Sequence, residues 1–327
     1  MLLSVQYMRA IAAVLVVVHH VAWKAEQYSN DPLYWFRVGG VGVDLFFIIS
    51  GFIMCYTTTS RIVRADQFIK ARIRRIIPIY WLLTVVALCA FLIAPEKVNS
   101  SGGSTTILNS FILLPSSSKY LVQNGWTLSY EFLFYGIFAC GLLLPGTVRL
   151  IIPKTILMGL VLIGIITPQA TTFGRFCTNP LLLNFVMGIV AFELLNRKPV
   201  KKIPAVISIL TSIIALTCIN FGYSSGIRVL DYAVPSLLFF VGMVSLEGFF
   251  NAKRDFRLAR VFERIGDSSY SLYLLHPFVL VPGAISLRFL GVNYFGSLFS
   301  IILVALSLCA GWFCYRWIEQ PLYRRLR

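Results

Sequence analysis

Charged side chains are scarce in this chain: Asp, Glu, Lys and Arg make up 13% of its 327 residues, against about 25% in an ordinary soluble domain. With 58% of the residues hydrophobic, that scarcity excludes a soluble globular protein. Acidic residues number 13 against 29 basic ones, and histidines number three. The seven cysteines (Cys55, Cys89, Cys140, Cys177, Cys218, Cys309 and Cys314) lie mostly inside apolar stretches and form no Cys-x-x-Cys pair. That pattern argues against a metal cluster or a disulfide framework, and they read as small buried hydrophobes. The chain also lacks a Gly-x-Ser-x-Gly elbow, a Walker glycine loop and a His-Glu-x-x-His helix. Gly39-Gly40-Val41-Gly42 misses the dinucleotide spacing. Adjacent His19 and His20 point about 100° apart on a helix, a poor metal chelate. No metal and no permanently bound cofactor is expected.

What is present is apolar sequence in long runs. A bilayer core takes about 20 apolar residues per helix. Such runs cover 5–23, 38–57, 76–94, 126–144, 150–167, 180–195, 203–221, 232–250, 269–287 and 297–316. Runs of this length imply helices rather than a barrel, because backbone groups in lipid must be satisfied within the segment. The expected fold is all-α and polytopic, with about ten transmembrane helices. Residues 1–327 are expected to form a single membrane domain with no soluble appendage. The first run lacks a cationic n-region and a small-residue cleavage site, so it reads as a span rather than a signal peptide. The segment 95–125 is rich in Ser, Gly and Thr and holds a short apolar stretch, Ile107–Leu114. That stretch is too short to span and is expected to be re-entrant or interfacial.

The net charge of +16 does not require nucleic acid, because its distribution alternates between loops. With the N-terminus inside, the cytoplasmic segments hold 21 Lys and Arg, Arg61, Lys198 and Arg327 among them. The outer loops hold seven, including Lys97 and Arg228. Such a bias places both termini in the cytoplasm.

Ionisable groups within spans are costly, so each is a site candidate. Arg9 and His20, eleven residues apart in the first run, share a helix face and stand roughly 16 Å apart along the axis. Counted from the span ends, Asp44 and Glu131 fall at about the depth of His20, in the outer third of the membrane. A carboxylate beside an imidazole fixes its tautomer and raises its basicity, as general-base work requires. Thr127, Glu131 and Tyr135 form one polar stripe. On the cytoplasmic side, Arg72 and Arg75 at i and i+3 make a fork suited to phosphate. His276, counted into the inner half of its span, is expected to line the passage of a donor's long arm between the two layers, as a donor-binding residue. Glu319 is expected to pair with Arg316 at the inner interface. A phosphorylated ligand with a long arm fits this layout: phosphates at Arg9, Arg72 and Arg75, and a reactive end near His20. Intramembrane Arg, His, Asp and Glu suit a proton- or ion-coupled transporter of a lipid or saccharide equally well, and that alternative stands beside an enzyme.

At these residues the chain resembles acyltransferase family 3, the integral-membrane acyltransferases, and within it the stand-alone subgroup associated with exopolysaccharide acetylation. The resemblance runs through YMRAIAAVLVVVHH, GVGVDLFFIISGFIM, RIRRIIPIYW, GWTLSYEFLFY, SYSLYLLHP and RWIEQP, in that order. It implies O-acylation in the bacterial inner membrane, moving an acetyl or other short acyl group from cytoplasmic acyl-CoA to a sugar hydroxyl. The acceptor would be a surface polysaccharide or its polyprenyl-linked precursor. It further implies that His20 is the essential imidazole, that Arg9, Arg72 and Arg75 serve the donor, and that Asp44 and Glu131 are the acidic members of the site.

Overall fold

The structure is a computed structural model describing residues 2–29, 31–59, 63–95, 104–146, 148–197 and 200–326. Arg61, Lys97, Lys198 and Arg327 of the charge count, and part of 95–125, lie outside the described residues. Helices follow one another along the chain: α1 (Leu3–Tyr28), α2 (Val41–Thr59), α3 (Ala65–Ile93), α4 (Ile107–Ile112), α5 (Gly125–Leu142), α6 (Val148–Ile166), α7 (Thr172–Cys177) and α8 (Leu182–Arg197). Then come α9 (Lys202–Asn220), α10 (Val234–Ser245), α11 (Glu247–Ala252), α12 (Arg257–Asp267), α13 (Ser269–Phe289), α14 (Leu298–Cys314) and α15 (Gln320–Leu326). Among the described residues the only β pairing is one isolated bridge, Thr105 with Lys119.

Among the described residues, eight helical segments are long and apolar enough to cross a membrane, and Val229–Ser245 is a shorter apolar helix. α5 adds 18 residues that include Glu131. Each of the ten apolar runs falls on one of these helices, and the protein is a polytopic all-α membrane protein. Many of the spans are rich in Val and Ile, which lose rotamer freedom in a helix. In lipid the alternative is an unsatisfied backbone, so the helix wins regardless.

The described helices pack as two compact units, one of residues 1–49 and 190–319, the other of 50–189 and 320–327. In the first, α1 lies against α10, α12, α13 and α14. Lipid tails are as apolar as leucine, so close contact rather than water exclusion favours association, and small residues allow it. Ala10, Ala12 and Ala13 of α1 are wholly buried, and Ala13, Val17 and Val21 join Leu272, Leu280, Phe299 and Leu303 in one core cluster. Gly39 rests on the Leu15 carbonyl and the His19 Cβ, where a side chain of its own would collide. Gly266 sits equally close on the backbone of Gln6.

Two carboxylates tie the ends of these helices. Asp31, fully buried, accepts from the amides of Leu33 (2.8 Å) and Ser300 (3.1 Å), joining the segment after α1 to the first turn of α14. Glu247 accepts from the amides of Leu3 and Ser4, each at 2.8 Å, and so caps α1 with one oxygen per N–H. Glu247→Ala removes this cap and the negative charge at the positive end of the helix. It is expected to cost about 1–2 kcal/mol, read as a lower Tm in detergent, with Glu247→Gln losing less.

In the second unit α3 packs on α4, α5 and α15, and α5 on α6. Phe134 stacks on Phe185 at 4.4 Å and Phe68 lies 5.4 Å from Phe138. The short apolar stretch forms α4, six residues long, closed by Leu113 in the left-handed region (φ 57°). The Tyr80 hydroxyl donates to the Ser110 carbonyl and the Trp81 indole N–H to that of Phe111, pinning α4 to α3.

Candidate functional site

His20 is the eighteenth of the 26 residues of α1. Its Nδ1 lies 2.8 Å from the carbonyl oxygen of Val16, one turn earlier. A carbonyl only accepts, so Nδ1 carries a proton, and in the neutral ring the lone pair is on Nε2. The expectation that a carboxylate orients this imidazole is therefore corrected. The ring is held by its own helix, through a second lone pair on the i−4 oxygen that is always within reach.

His276 stands against it, with ring centroids 4.9 Å apart. His276 is fully buried, its Nδ1 faces the Leu272 carbonyl at 3.3 Å, and its Nε2 has no hydrogen-bond partner among the described residues. The placing of His276 in a separate inner layer is overturned, because it shares the depth of His20. Depth had been counted from the start of each apolar run, whereas helix tilt and packing set the offset between α1 and α13. His19 completes the group at 5.6 Å from His20, so all three histidines of the chain meet here. Trp23, 57% exposed, lies 5.5 Å from His20.

Arg9 keeps the spacing that the helix dictates. Its guanidinium donates to Gln6 Oε1 at 3.1 Å, while the Gln6 amide donates to Asp267 at the end of α12. Burial raises the Asp267 carboxyl above its ordinary range, and the charge of Arg9 opposes that rise. Neither Gln6 nor Asp267 stood out in the sequence. The signal was an acid closing an amphipathic helix beside a span.

Asp44, on the first turn of α2, forms an ion pair with Arg228 at 2.7 Å. The carboxylate side chain is 1% exposed and the guanidinium 45%. Arg228 had been counted as one of the few outer-loop cations, and only its place beside Asp44 marks it out. In the same unit, Glu319 accepts from the Ser271 hydroxyl.

The second unit holds the other acid. Glu131 accepts from Ser50 Oγ at 2.9 Å and from the Tyr135 hydroxyl at 3.2 Å. Arg75 and Arg72 are the cations acting on it. Arg72 lies over the Phe68 ring at 5.7 Å with its Nε unpartnered, and Arg75 is exposed. The expected separation between an outer layer of acids and an inner arginine fork does not hold for this pair of elements. α3 runs for 29 residues, eleven of them before the apolar run begins, and this length carries its arginines to Glu131 and Tyr135. Thr127, at the head of the polar stripe, is used locally, donating to the Asn124 carbonyl at 2.9 Å. Ser50 was missed because it sits in an apolar run with no charge beside it.

Among the described residues no group of three or more His, Cys, Asp or Glu side chains is arranged to hold a metal ion. The first unit thus offers an imidazole anchored at Nδ1, and the second an acid bonded to two hydroxyls and acted on by two arginines. The acyltransferase domain profile of family 3 matches residues 2–316. The chain is 32% identical over 310 residues to the exopolysaccharide production protein ExoZ of Rhizobium meliloti, covering 89% of this chain and 92% of that one. It is 23% identical over 141 residues to the peptidoglycan O-acetyltransferase OatA of Listeria monocytogenes, covering 41% of this chain and 20% of that one. No solved structure matches it. A profile that runs through almost every span, together with a relative alike over nearly its full length, leaves one assignment: the chain belongs to acyltransferase family 3.

Proposed function

We propose that this protein is a bacterial inner-membrane O-acyltransferase, with both termini cytoplasmic. It moves an acetyl or other short acyl group from acyl-CoA to a hydroxyl of a surface polysaccharide or its lipid-linked precursor. The observation that carries this reading is the place of the His20 ring: Nδ1 lies 2.8 Å from the Val16 carbonyl oxygen, which leaves Nε2 as the nitrogen for base work. Carbohydrate as acceptor is supported by the exopolysaccharide and peptidoglycan roles in the relatives' names.

The step balances with the residues of this chain alone. Nε2 of His20 takes the hydroxyl proton as the sugar oxygen bonds to the thioester carbonyl carbon. The C–S bond then breaks, and the departing thiolate recovers that proton from the imidazolium. Arg9 in the first unit, and Arg72 and Arg75 in the second, each carry a guanidinium group suited to a donor phosphate, a role that planar forks fill well. Glu131, with Ser50 and Tyr135, balances the charge of Arg72 and Arg75 and keeps them from collapsing onto other acceptors.

The test is donor consumption. Wild-type protein in nanodiscs, given acetyl-CoA labelled in the acetyl group and an envelope glycan fraction, is expected to release CoA and label the glycan. Movement of saccharide or lipid with no thioester consumed would replace the enzyme with a coupled transporter.

A further inference from the structure

Two cations meet on one ring at the far end of α1. Lys24 Nζ stands 5.4 Å from the centroid of the Tyr28 ring, and the guanidinium carbon of Arg288, in the last turn of α13, stands 6.0 Å from the same centroid. Tyr28 packs against the core cluster of α1, α13 and α14, so the ring that gathers them is fixed. Like charges held together repel, and an acid would offset that. Among the described residues, however, neither cation has a carboxylate within ion-pair reach. Asp31, nearby in the chain, is engaged by the amides of Leu33 and Ser300. Of the three N–H bonds of its ammonium, Lys24 gives one to Gln27 Oε1 at 3.0 Å. Positive-inside placement accounts for neither cation, because on the orientation proposed above both lie on the outer side. Arg228, on that same side, has Asp44.

α1 and α13 touch at His20 and His276 and again at Tyr28 and Arg288, so the two helices run the same way from the histidines to the cations. Lys24 is one turn beyond His20, roughly 6 Å along the axis, and Tyr28 roughly 12 Å. Trp23, 57% exposed beside His20, fits a headgroup layer, where such rings collect. These groups suit an anion at headgroup depth, with a sugar on it that reaches the imidazole.

We propose that Lys24 and Arg288 bind the phosphate of a lipid-linked saccharide, so that the acceptor is the membrane-anchored precursor rather than the finished polysaccharide. Phosphate is a strong acceptor for an ammonium and for a planar guanidinium alike. Its lipid chain lies against the spans, and the sugar it carries is placed toward His20. No bond to phosphorus forms or breaks; the phosphate serves as a handle. The purpose of this subsite rests on the acyltransferase reading above, whereas its affinity for phosphate is measurable without turnover.

Binding is measured first, on wild type, Lys24→Gln, Lys24→Arg and Arg288→Gln in phosphatidylcholine nanodiscs. The probe is a polyprenyl phosphate, with the matching neutral polyprenol and phosphatidylglycerol as controls, each titrated and read as the shift in Tm. Wild type is expected to bind the polyprenyl phosphate about tenfold or more tightly than either control. Each Gln variant is expected to lose roughly tenfold of that affinity, as for one hydrogen bond to a charged group, and Lys24→Arg to keep most of it. Arg288 is exposed, so its variant carries the test should Lys24→Gln fail to insert. Polyprenyl phosphate bound no better than polyprenol, or equally well by the Gln variants, overturns the proposal. Phosphatidylglycerol bound as tightly, with loss in the same variants, makes the pair a general headgroup site and overturns it too. With lipid-linked saccharide extracted from the envelope and labelled acetyl-CoA, the Gln variants are expected to raise KM for that acceptor about tenfold, with KM for acetyl-CoA unchanged. Phosphate binding that depends on both cations, beside a wild type that consumes no acetyl-CoA, supports the subsite and sinks the acyltransferase reading. A wild type that turns over beside Gln variants of unchanged KM sinks the subsite alone.

Discussion

His20→Ala is expected to lower acyl transfer by about 10²–10⁴-fold, the range that a positioned general base supplies, while the protein inserts and melts like wild type. The loss is chemical because His20 contributes little else that is irreplaceable. Its single hydrogen bond is to the carbonyl of Val16, which already serves as an acceptor within α1. His20→Asn sharpens the test. Its amide N–H still reaches the Val16 carbonyl, but nothing stands at the position of Nε2, so this variant is expected to be as slow as alanine. His19 supplies the control: its ring is 5.6 Å from His20 and points to another side of α1, so His19→Ala is expected to change the rate far less. Measured as labelled acetyl transferred per inserted protein, a His20→Asn variant with near wild-type turnover would remove the imidazole from the reaction.

What could be read in the sequence is what a single helix determines. Ten apolar runs became helices because lipid offers the backbone no other partner. Arg9 and His20 share a face because rise and twist are constant along α1. Relations between helices were legible only in part, since run boundaries carry no information on tilt or axial offset. His276, counted from the start of its run into another layer, meets His20 ring to ring. Arg72 and Arg75, assigned to a phosphate fork at the inner surface, act on Glu131. Partners distant in the chain were not legible at all. Ser50 and Glu131 are 81 positions apart, and Asp267 reaches Arg9 only through Gln6. Ionisable groups inside apolar runs supplied the list of residues and the family resemblance agreed with it; the contacts assign them to two units and show which of them touch.

Arg228→Ala is expected to destabilise the first unit by about 1–3 kcal/mol, the cost of leaving a desolvated acceptor without its charged donor. The cost falls on Asp44, whose side chain is 1% exposed and would lose the guanidinium 2.7 Å away. The pair is asymmetric, because Arg228 is 45% exposed and stacks over Tyr232 at 5.2 Å, so removing the acid leaves a cation that water can reach. Asp44→Asn should therefore cost distinctly less than Arg228→Ala, and the double variant should recover most of the arginine's loss. Thermal midpoints of the four proteins in one detergent check this cycle, and an Arg228→Ala protein melting with wild type would show that the pair contributes nothing. The same Asn variant also separates two roles for Asp44. A carboxylate acting on the imidazole would make Asp44→Asn nearly as slow as His20→Ala. With Nδ1 of His20 bonded to Val16 and Asp44 bonded to Arg228, the expected result is turnover within a few-fold of wild type for the fraction that stays folded. Asp44 would then hold the segment of Arg228 on α2, and the proposed general base would remain His20.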